Sequence, residues 1–222
     1  MNNPSTTPIL FITGTDTDAG KSWCTAAWLR HLRGRGIAAR AVKPLVSGCP
    51  GGDPLSNADI RLLRQAQPEW TGPLWLHAFE PAIAPHIAAR RAGTHVAAGE
   101  LADWCLEQAR DVDLLLVEGV GGWCVPLNER EMLSHWAQAM GAEVALVVAI
   151  RLGCINHGLL SARAIRADGL PLKGWLANWL DAEMPEKQAN LASLQSRMPA
   201  PLLGQVEWAA DPDAVVYRPQ EG

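Results

Sequence analysis

The chain has 222 residues, of which 19 are Lys or Arg and 23 are Asp or Glu, so its formal net charge is −4. With 48% hydrophobic and 19% charged residues it has the composition of an ordinary globular protein and not of a disordered one. The mildly acidic balance argues against a general nucleic-acid binder, which would carry a strongly basic surface.

The cysteine pattern and the apolar runs exclude further classes. The five cysteines are odd in number and form no CxxC pair, so neither a disulfide framework nor a structural zinc site is predicted. The first residues lack the basic and apolar regions of a signal peptide. The longest strongly apolar run, residues 144–150, is too short to cross a bilayer. We therefore expect a cytoplasmic protein with no membrane and no nucleic-acid partner.

Apolar segments of strand length alternate with helix-like segments along the chain. Strands are predicted at residues 8–13, 37–42, 113–119, 144–150 and 172–178. Helices are predicted at residues 20–33, 58–66, 99–110, 155–168 and 184–197. A Gly/Pro cluster predicts a loop over 44–57. Because this alternation produces βαβ units, we expect a single α/β domain over residues 1–222, with a doubly wound, mainly parallel sheet flanked by helices.

Residues 14–22 read GTDTDAGKS and match the phosphate-loop pattern G-x-x-x-x-G-K-[ST]. The glycines let successive backbone N–H groups point at phosphate oxygens, and the helix that begins near Gly20 adds its positive end. Lys21 can reach the β- and γ-phosphates, and Ser22 can offer its hydroxyl to Mg²⁺. The alternative is a Gly-rich turn with a solvated lysine. The position between a predicted strand and a predicted helix favours a nucleotide site of the P-loop NTPase type.

Three charged residues fall at or near the carboxyl ends of predicted strands, where open parallel sheets bind ligands. Glu118 ends the strand DLLLV and could hold Mg²⁺ beside the phosphate loop. Lys43 follows the second strand and Asp59 lies near the start of a helix. Taken singly, these two side chains also suit a solvated or helix-capping role.

Several segments together resemble the dethiobiotin synthetase family. They are FITGTDTDAGKS (11–22), VKPLVSG (42–48), SNAD (56–59), EPAIAPH (80–86), LLVEGVGGWCVPL (115–127), RLGCINH (151–157), GWLAN (174–178) and PAPLLG (199–204). The resemblance implies a homodimer that converts 7,8-diaminononanoate, CO₂ and ATP, with Mg²⁺, to dethiobiotin, ADP and phosphate. It further implies a carbamate and a carbamic–phosphoric anhydride as intermediates.

The resemblance also implies roles for individual residues. The implied catalytic residues are Lys43, Lys21 and Thr17. The implied ATP contacts are Asp18, Ala19, Gly20, Lys21, Ser22, Trp23, Asp59, Glu118, Gly119, Val120, Gly121, Asn178, Trp179, Glu207, Trp208 and Ala209. The implied substrate contacts are Thr17, Lys43 and Ser47, together with Gly153, Cys154, Ile155 and Asn156 of the partner subunit at the subunit interface. The implied Mg²⁺ ligands are Ser22, Asp59 and Glu118.

Other nucleotide-binding classes fit the residues less well. A cobyrinate diamide synthase would carry a long glutaminase domain, for which 222 residues leave little room. A partitioning or division-site ATPase would carry a second lysine at the start of its phosphate loop, where this chain has Thr13-Gly14-Thr15. A non-catalytic nucleotide-binding protein stays possible. ATP turnover that is independent of a diamine would indicate one of the last two classes.

Overall fold

The main sheet places the carboxyl ends of its parallel strands along one edge. The computed structural model describes residues 7–180, 183–207, 209 and 211–220. Seven strands pair in the order β2-β5-β1-β6-β7-β8-β9. They are β1 (Ile9–Gly14), β2 (Ala39–Val42), β5 (Leu114–Glu118), β6 (Glu143–Ile150), β7 (Leu172–Trp179), β8 (Leu202–Glu207) and β9 (Val216–Pro219). All neighbours are parallel except β8 and β9, which are antiparallel.

Helices cover both faces of this sheet. They are α1 (Lys21–Gly34), α2 (Ala58–Gln65), α3 (Pro85–Arg91), α4 (Ala98–Gln108), α5 (Leu133–Ala139), α6 (Cys154–Ala167) and α7 (Lys187–Gln195). Consecutive residues of a strand point to opposite faces, so Phe11 and Ile12 of β1 enter different cores. Ile12 packs in the core that includes α1 and α2, and Phe11 packs in the core that includes α4, α5, α6 and α7. The central strands are therefore apolar on both faces, which explains their continuous runs of Val, Leu and Ile.

The structure confirms the predicted fold class and the ten predicted strands and helices, with ends that shift by up to three residues. The predicted loop over 44–57 is wrong in part. It contains β3 (Leu45–Ser47), which pairs with β4 (His77–Phe79) in a separate two-stranded parallel sheet. Strands of three residues show no alternation that a sequence pattern can detect. The prediction also missed β8, β9, α3 and α5.

The topology brings four connections to the same edge of the sheet. The phosphate loop follows β1, Lys43 follows β2, Glu118 ends β5, and the turn before α6 follows β6. Because these strands are adjacent and parallel, their carboxyl ends form one crevice. Among the residues that the structure describes, no helix is both long enough and apolar enough to span a bilayer.

Candidate active site

The phosphate loop joins β1 to α1 and is supported from β7. Gly20 precedes α1 with φ +80°, a conformation that suits glycine. A Cβ at this position would lie 1.9 Å from the Nδ2 of Asn178. The same Nδ2 donates a hydrogen bond of 2.9 Å to the carbonyl of Ala19. The buried Asn178 side chain therefore holds the loop backbone from behind, and no side chain larger than glycine's fits between them.

Four polar side chains meet at the carboxyl ends of β2 and β5. Lys43 Nζ donates to Glu118 Oε1 over 2.8 Å and also donates to Asp59 Oδ2. Ser22 Oγ donates to Glu118 Oε1 over 2.6 Å. Helices α1 and α2 contribute Ser22 and Asp59 from their first turns. Residues that are up to 96 positions apart in the chain therefore form one hydrogen-bonded cluster.

The charges of this cluster stabilise one another. Burial lowers the pKa of Lys43, but the carboxylates of Glu118 and Asp59 outweigh burial and hold that pKa above its usual range. Burial raises the pKa of Asp59, and the charge of Lys43 with its hydrogen bond brings the pKa below its usual value. Lys43 is therefore a permanent cation and Asp59 a permanent anion near neutral pH.

Lys21 is held differently. Its Nζ donates to the carbonyl of Gly121 over 2.7 Å, and no carboxylate of the described residues is bonded to it. Burial and the neighbouring charge of Lys43 lower the pKa of Lys21. Two lysines thus face the same space, and a polyanion such as a triphosphate would relieve the repulsion between them.

The cluster offers oxygen ligands for a divalent cation. Glu118 Oε2 is buried without a hydrogen-bond partner, and Ser22 Oγ and the Asp59 carboxylate lie beside it. Within residues 7–180, 183–207, 209 and 211–220, no group of three or more His, Cys, Asp or Glu side chains could hold a metal. Mg²⁺ needs no such group, because it binds proteins through one or two carboxylates and keeps water and phosphate oxygens as its other ligands. The residues therefore fit Mg²⁺ held together with a nucleotide.

A cavity of about 650 Å³ opens in front of these groups. Of the residues implied by the family resemblance, twelve line it: Thr17, Asp18, Gly20, Lys21, Ser22, Trp23, Lys43, Ser47, Asp59, Glu118, Val120 and Gly121. The Ser47 hydroxyl is buried and has no hydrogen-bond partner, so it is available to a ligand. The sequence did not predict six further lining residues: Ala82, Ile83, Ala84 and Pro85, which belong to the segment EPAIAPH, and Val125 and Leu180.

The other implied site residues lie outside this cavity. Ala19 lies in the phosphate loop and Gly119 in the loop after β5, but only residues next to them in the sequence line the cavity. Trp179 Nε1 donates to Gln205 Oε1 over 3.1 Å, and Glu207 pairs with Arg218 over 3.2 Å at the surface. Trp208 is outside the described residues, and Ala209 is adjacent to it. A base site in this region stays a prediction.

The segment Gly153–Asn156, with Cys154 and Ile155, forms the start of α6 and likewise does not line the cavity. Its link to the phosphate loop is an ion pair of 2.9 Å between Arg151 and Asp16, both of which are about half exposed. Leu152, immediately before this segment, is 92% exposed. Within the segment, Gly153 and Asn156 are exposed, whereas Cys154 is buried in the core and Ile155 is half-buried against it.

Known proteins are similar to this chain over most of its length. A family model described as an AAA domain matches residues 9–215. The ATP-dependent dethiobiotin synthetase BioD of Cellvibrio japonicus is 49% identical over 203 residues, which cover 88% of this chain and 87% of that protein. The proteins of the same name from Pseudomonas paraeruginosa and Nitrosospira multiformis are 48% and 42% identical and cover 92% of this chain, with 91% and 90% of their own lengths.

Solved structures with a similar fold include chloroplast FtsY from Physcomitrella patens, with a TM-score of 0.59 and 16% identity. The match covers 100% of this chain and 64% of that one. The cell division protein FtsY from Thermotoga maritima also gives 0.59, at 15% identity over 99% of this chain and 67% of its own. At this identity the likeness shows the fold alone. The sequence relatives go further, and the chain belongs to the ATP-dependent dethiobiotin synthetase family.

Proposed function

We propose that the protein closes 7,8-diaminononanoate and CO₂ to dethiobiotin at the expense of ATP, giving ADP and phosphate. The observation that supports this most is the joint placement of Lys21, Lys43 and Glu118 along one cavity that is also lined by Ser47, whose buried hydroxyl has no hydrogen-bond partner. A nucleotide site alone would need only the phosphate-loop lysine, whereas here Lys43 adds a second buried ammonium group beside Glu118 and Ser22. A reaction in which a second anion approaches the γ-phosphate does need such a second group.

The proposed reaction divides into three steps. First, one amine adds to the carbon of CO₂ and loses a proton, which gives a carbamate. Second, a carbamate oxygen attacks the γ-phosphorus, and the bond from that phosphorus to the bridging oxygen of ADP breaks. Third, the other amine attacks the carbamoyl carbon, loses a proton and expels phosphate, which carries away the carbamate oxygen. The product is the cyclic urea.

In these steps the protein positions anions and neutralises charge. Lys21 would bind the β- and γ-phosphates, and Lys43 would hold the carbamate and the transferring phosphoryl group. Thr17 and Ser47 would orient the diamine or its carbamate, since both line the cavity. Phosphoryl transfer requires little more of a protein than this combination of orientation and fixed charge.

Mg²⁺ would neutralise phosphate charge, and Ser22, Asp59 and Glu118 are its proposed ligands. The remaining implied ATP contacts, including Asn178 and Trp179, are proposed for the base side of the nucleotide. We further propose that the chain acts as one domain in the cytoplasm.

We also propose a homodimer in which the start of α6 serves the partner's cavity. Supporting this, Leu152 and Leu160 are 92% and 54% exposed on the segment and helix that carry Gly153–Asn156. Leu152→Asp should yield a monomer that has lost turnover, as judged by light scattering and product formation. Leu106→Asp, which changes a leucine 44% exposed on α4, is the matched control and should leave a dimer.

The proposed reaction is tested by supplying Mg²⁺, ATP, bicarbonate and the diamine and then omitting each in turn. Phosphate release and a cyclic urea detected by mass spectrometry should both require all four components. ATP hydrolysis that ignores the diamine, with no urea formed, would instead indicate a nucleotide-driven switch.

A further inference from the structure

The carboxamide of Asn57 uses its whole hydrogen-bonding capacity between two parts of the cavity wall. Its Oδ1 accepts from the backbone N–H groups of Asp59, over 3.0 Å, and Ile60, over 3.3 Å. Its Nδ2 donates to the carbonyls of Ser47, over 3.2 Å, and Gly48, over 3.0 Å. One side chain therefore bonds to the end of β3 and to the start of α2.

The two connected ends carry different site residues. Ser47 presents a buried hydroxyl without a partner to the cavity, on the side proposed for the diamine. Asp59 pairs with Lys43 in the cluster proposed for the metal. Between them, residues 48–57 form a loop with three glycines at positive φ, namely Gly48, Gly51 and Gly52. Hydrogen bonds inside this loop, such as those from the Ser56 hydroxyl to the Pro50 and Asp53 carbonyls, order its middle, whereas the Asn57 side chain joins its two ends directly.

An asparagine is required for both halves of this bridge. Asp or Ser at the same position would still accept from the first N–H groups of α2 and cap the helix. Neither could donate two N–H bonds to the Ser47 and Gly48 carbonyls. A substitution can thus remove the hydrogen bonds to the Ser47 and Gly48 carbonyls and still keep the cap of α2.

We infer that Asn57 is a positioning residue that fixes Ser47 relative to Asp59 and so couples the substrate side of the cavity to its metal side. The inference rests on the proposed function for the naming of those two sides. Removing the Asn57 hydrogen bonds to the Ser47 and Gly48 carbonyls should weaken metal binding and diamine binding together, because Ser47 and Asp59 would no longer be held at a fixed distance. The affinity for ATP, measured without metal, should equal that of the wild-type protein, since the phosphate loop makes no hydrogen bond to Asn57.

The test compares Asn57→Asp and Asn57→Ser with the wild-type protein. Mn²⁺ affinity in the presence of a non-hydrolysable ATP analogue, measured by electron paramagnetic resonance, should fall about tenfold in both variants. The KM for the diamine should rise by a similar factor with a smaller change in kcat. Ser56→Ala is the matched control, because the Ser56 hydroxyl bonds to the Asp53 and Pro50 carbonyls in the same loop and should change neither quantity when removed.

A double-mutant cycle then separates coupling from a general loss of structure. In a Ser47→Ala background, the effect of Asn57→Asp on the diamine KM should largely disappear, whereas additive effects would overturn the inference. Unchanged Mn²⁺ affinity in both Asn57 variants would overturn it as well. The Mn²⁺ measurement needs no turnover, so it decides the inference even where the wild-type protein fails to form the cyclic urea and the proposed function falls.

Discussion

Lys43 Nζ donates a hydrogen bond of 2.8 Å to Glu118 Oε1, and both side chains are buried, Glu118 completely. The same ammonium group also bonds to Asp59. Breaking a buried charge pair by removing one partner is costly, because the other charge stays out of water without compensation. Lys43 therefore stabilises the two carboxylates that are proposed to bind Mg²⁺, besides its proposed role toward the carbamate.

Lys43→Met should consequently destabilise the protein and abolish formation of the cyclic urea product. We expect the free energy of unfolding to fall by about 3 kcal/mol, because the fully buried Glu118 carboxylate loses its counter-charge; the Asp59 side chain is 42% exposed, so water screens its loss. Millimolar Mg²⁺ should raise the free energy of unfolding of the variant by more than it raises that of the wild-type protein, since the cation replaces the missing positive charge. Equilibrium unfolding with urea as the denaturant, carried out with and without Mg²⁺, measures both effects. The control Lys43→Met/Glu118→Gln should be less destabilised than Lys43→Met, and equal stabilities would contradict the role of charge.

Gly20→Ala should remove ATP binding, because the new Cβ would collide with Asn178 at 1.9 Å. The matched control is Gly36→Ala. Gly36 has nearly the same φ, +78°, but a Cβ added there would meet no atom within 4 Å, so the control carries the backbone strain without the collision. Calorimetric titration with ATP should show loss of binding for the first variant and near wild-type affinity for the second. Comparable losses would mean that strain alone is responsible.

Asn178→Ala distinguishes a contact to the nucleotide base from support of the phosphate loop. Because Asn178 donates to the Ala19 carbonyl, its removal should weaken binding of inorganic tripolyphosphate as well as ATP, by about three- to tenfold. A residue that touches only the base would leave tripolyphosphate binding intact, and that result would refute the supporting role. Gln205→Ala, which removes the partner of Trp179 on the neighbouring strand, should not affect tripolyphosphate.

Glu131 predicts a pH dependence of stability away from the cavity. Its Oε2 accepts from Asn128 Nδ2 over 2.6 Å and from the Ala98 N–H at the start of α4 over 3.1 Å, and these bonds hold its pKa below the usual range. Because the folded-state pKa lies below the unfolded value of about 4.3, the stabilisation is fully present above that value. It is lost as the pH falls through the folded-state pKa.

Glu131→Gln should therefore lower the free energy of unfolding by about 1 kcal/mol at pH 7, allowing for solvent screening at this partly exposed site. The difference from the wild-type protein should shrink below about pH 4. Urea unfolding at both pH values measures it. Glu129→Gln, which removes an exposed surface pair with Arg90, should change little at either pH. A Glu131 effect that is the same at both pH values would contradict the assignment.

The sequence predicted those parts of the structure that local patterns encode. The apolar runs of β5 and β6 and the motif at residues 14–22 are continuous in the chain, so periodicity and spacing were sufficient. The pairing of Asp59 with Lys43, and of Ser22 with Glu118 at 96 positions away, depends on which strand ends become neighbours in the sheet. The resemblance to a family predicted these residues as site residues but did not predict which atoms they bond to.

Two parts of the site lay beyond any local pattern. The Ser47 strand β3 is three residues long and forms only because it pairs with β4, 32 positions further along in register. The Asn57 bridge involves backbone carbonyls, which no residue identity reveals. The proposed role of the start of α6 could not be predicted from one chain either, because it depends on a second copy of the chain.

The most direct test of the account follows the oxygen atoms of CO₂. Freshly dissolved CO₂ labelled with ¹³C and with ¹⁸O at both oxygens would be supplied with Mg²⁺, ATP and the diamine, and urea and phosphate would be analysed by mass spectrometry. Attack of the carbamate on the γ-phosphate predicts ¹³C in the urea carbonyl with one ¹⁸O, and the other ¹⁸O in the released phosphate. Labelled urea accompanied by unlabelled phosphate would contradict the carbamate step, and the absence of labelled urea would contradict the proposed function itself.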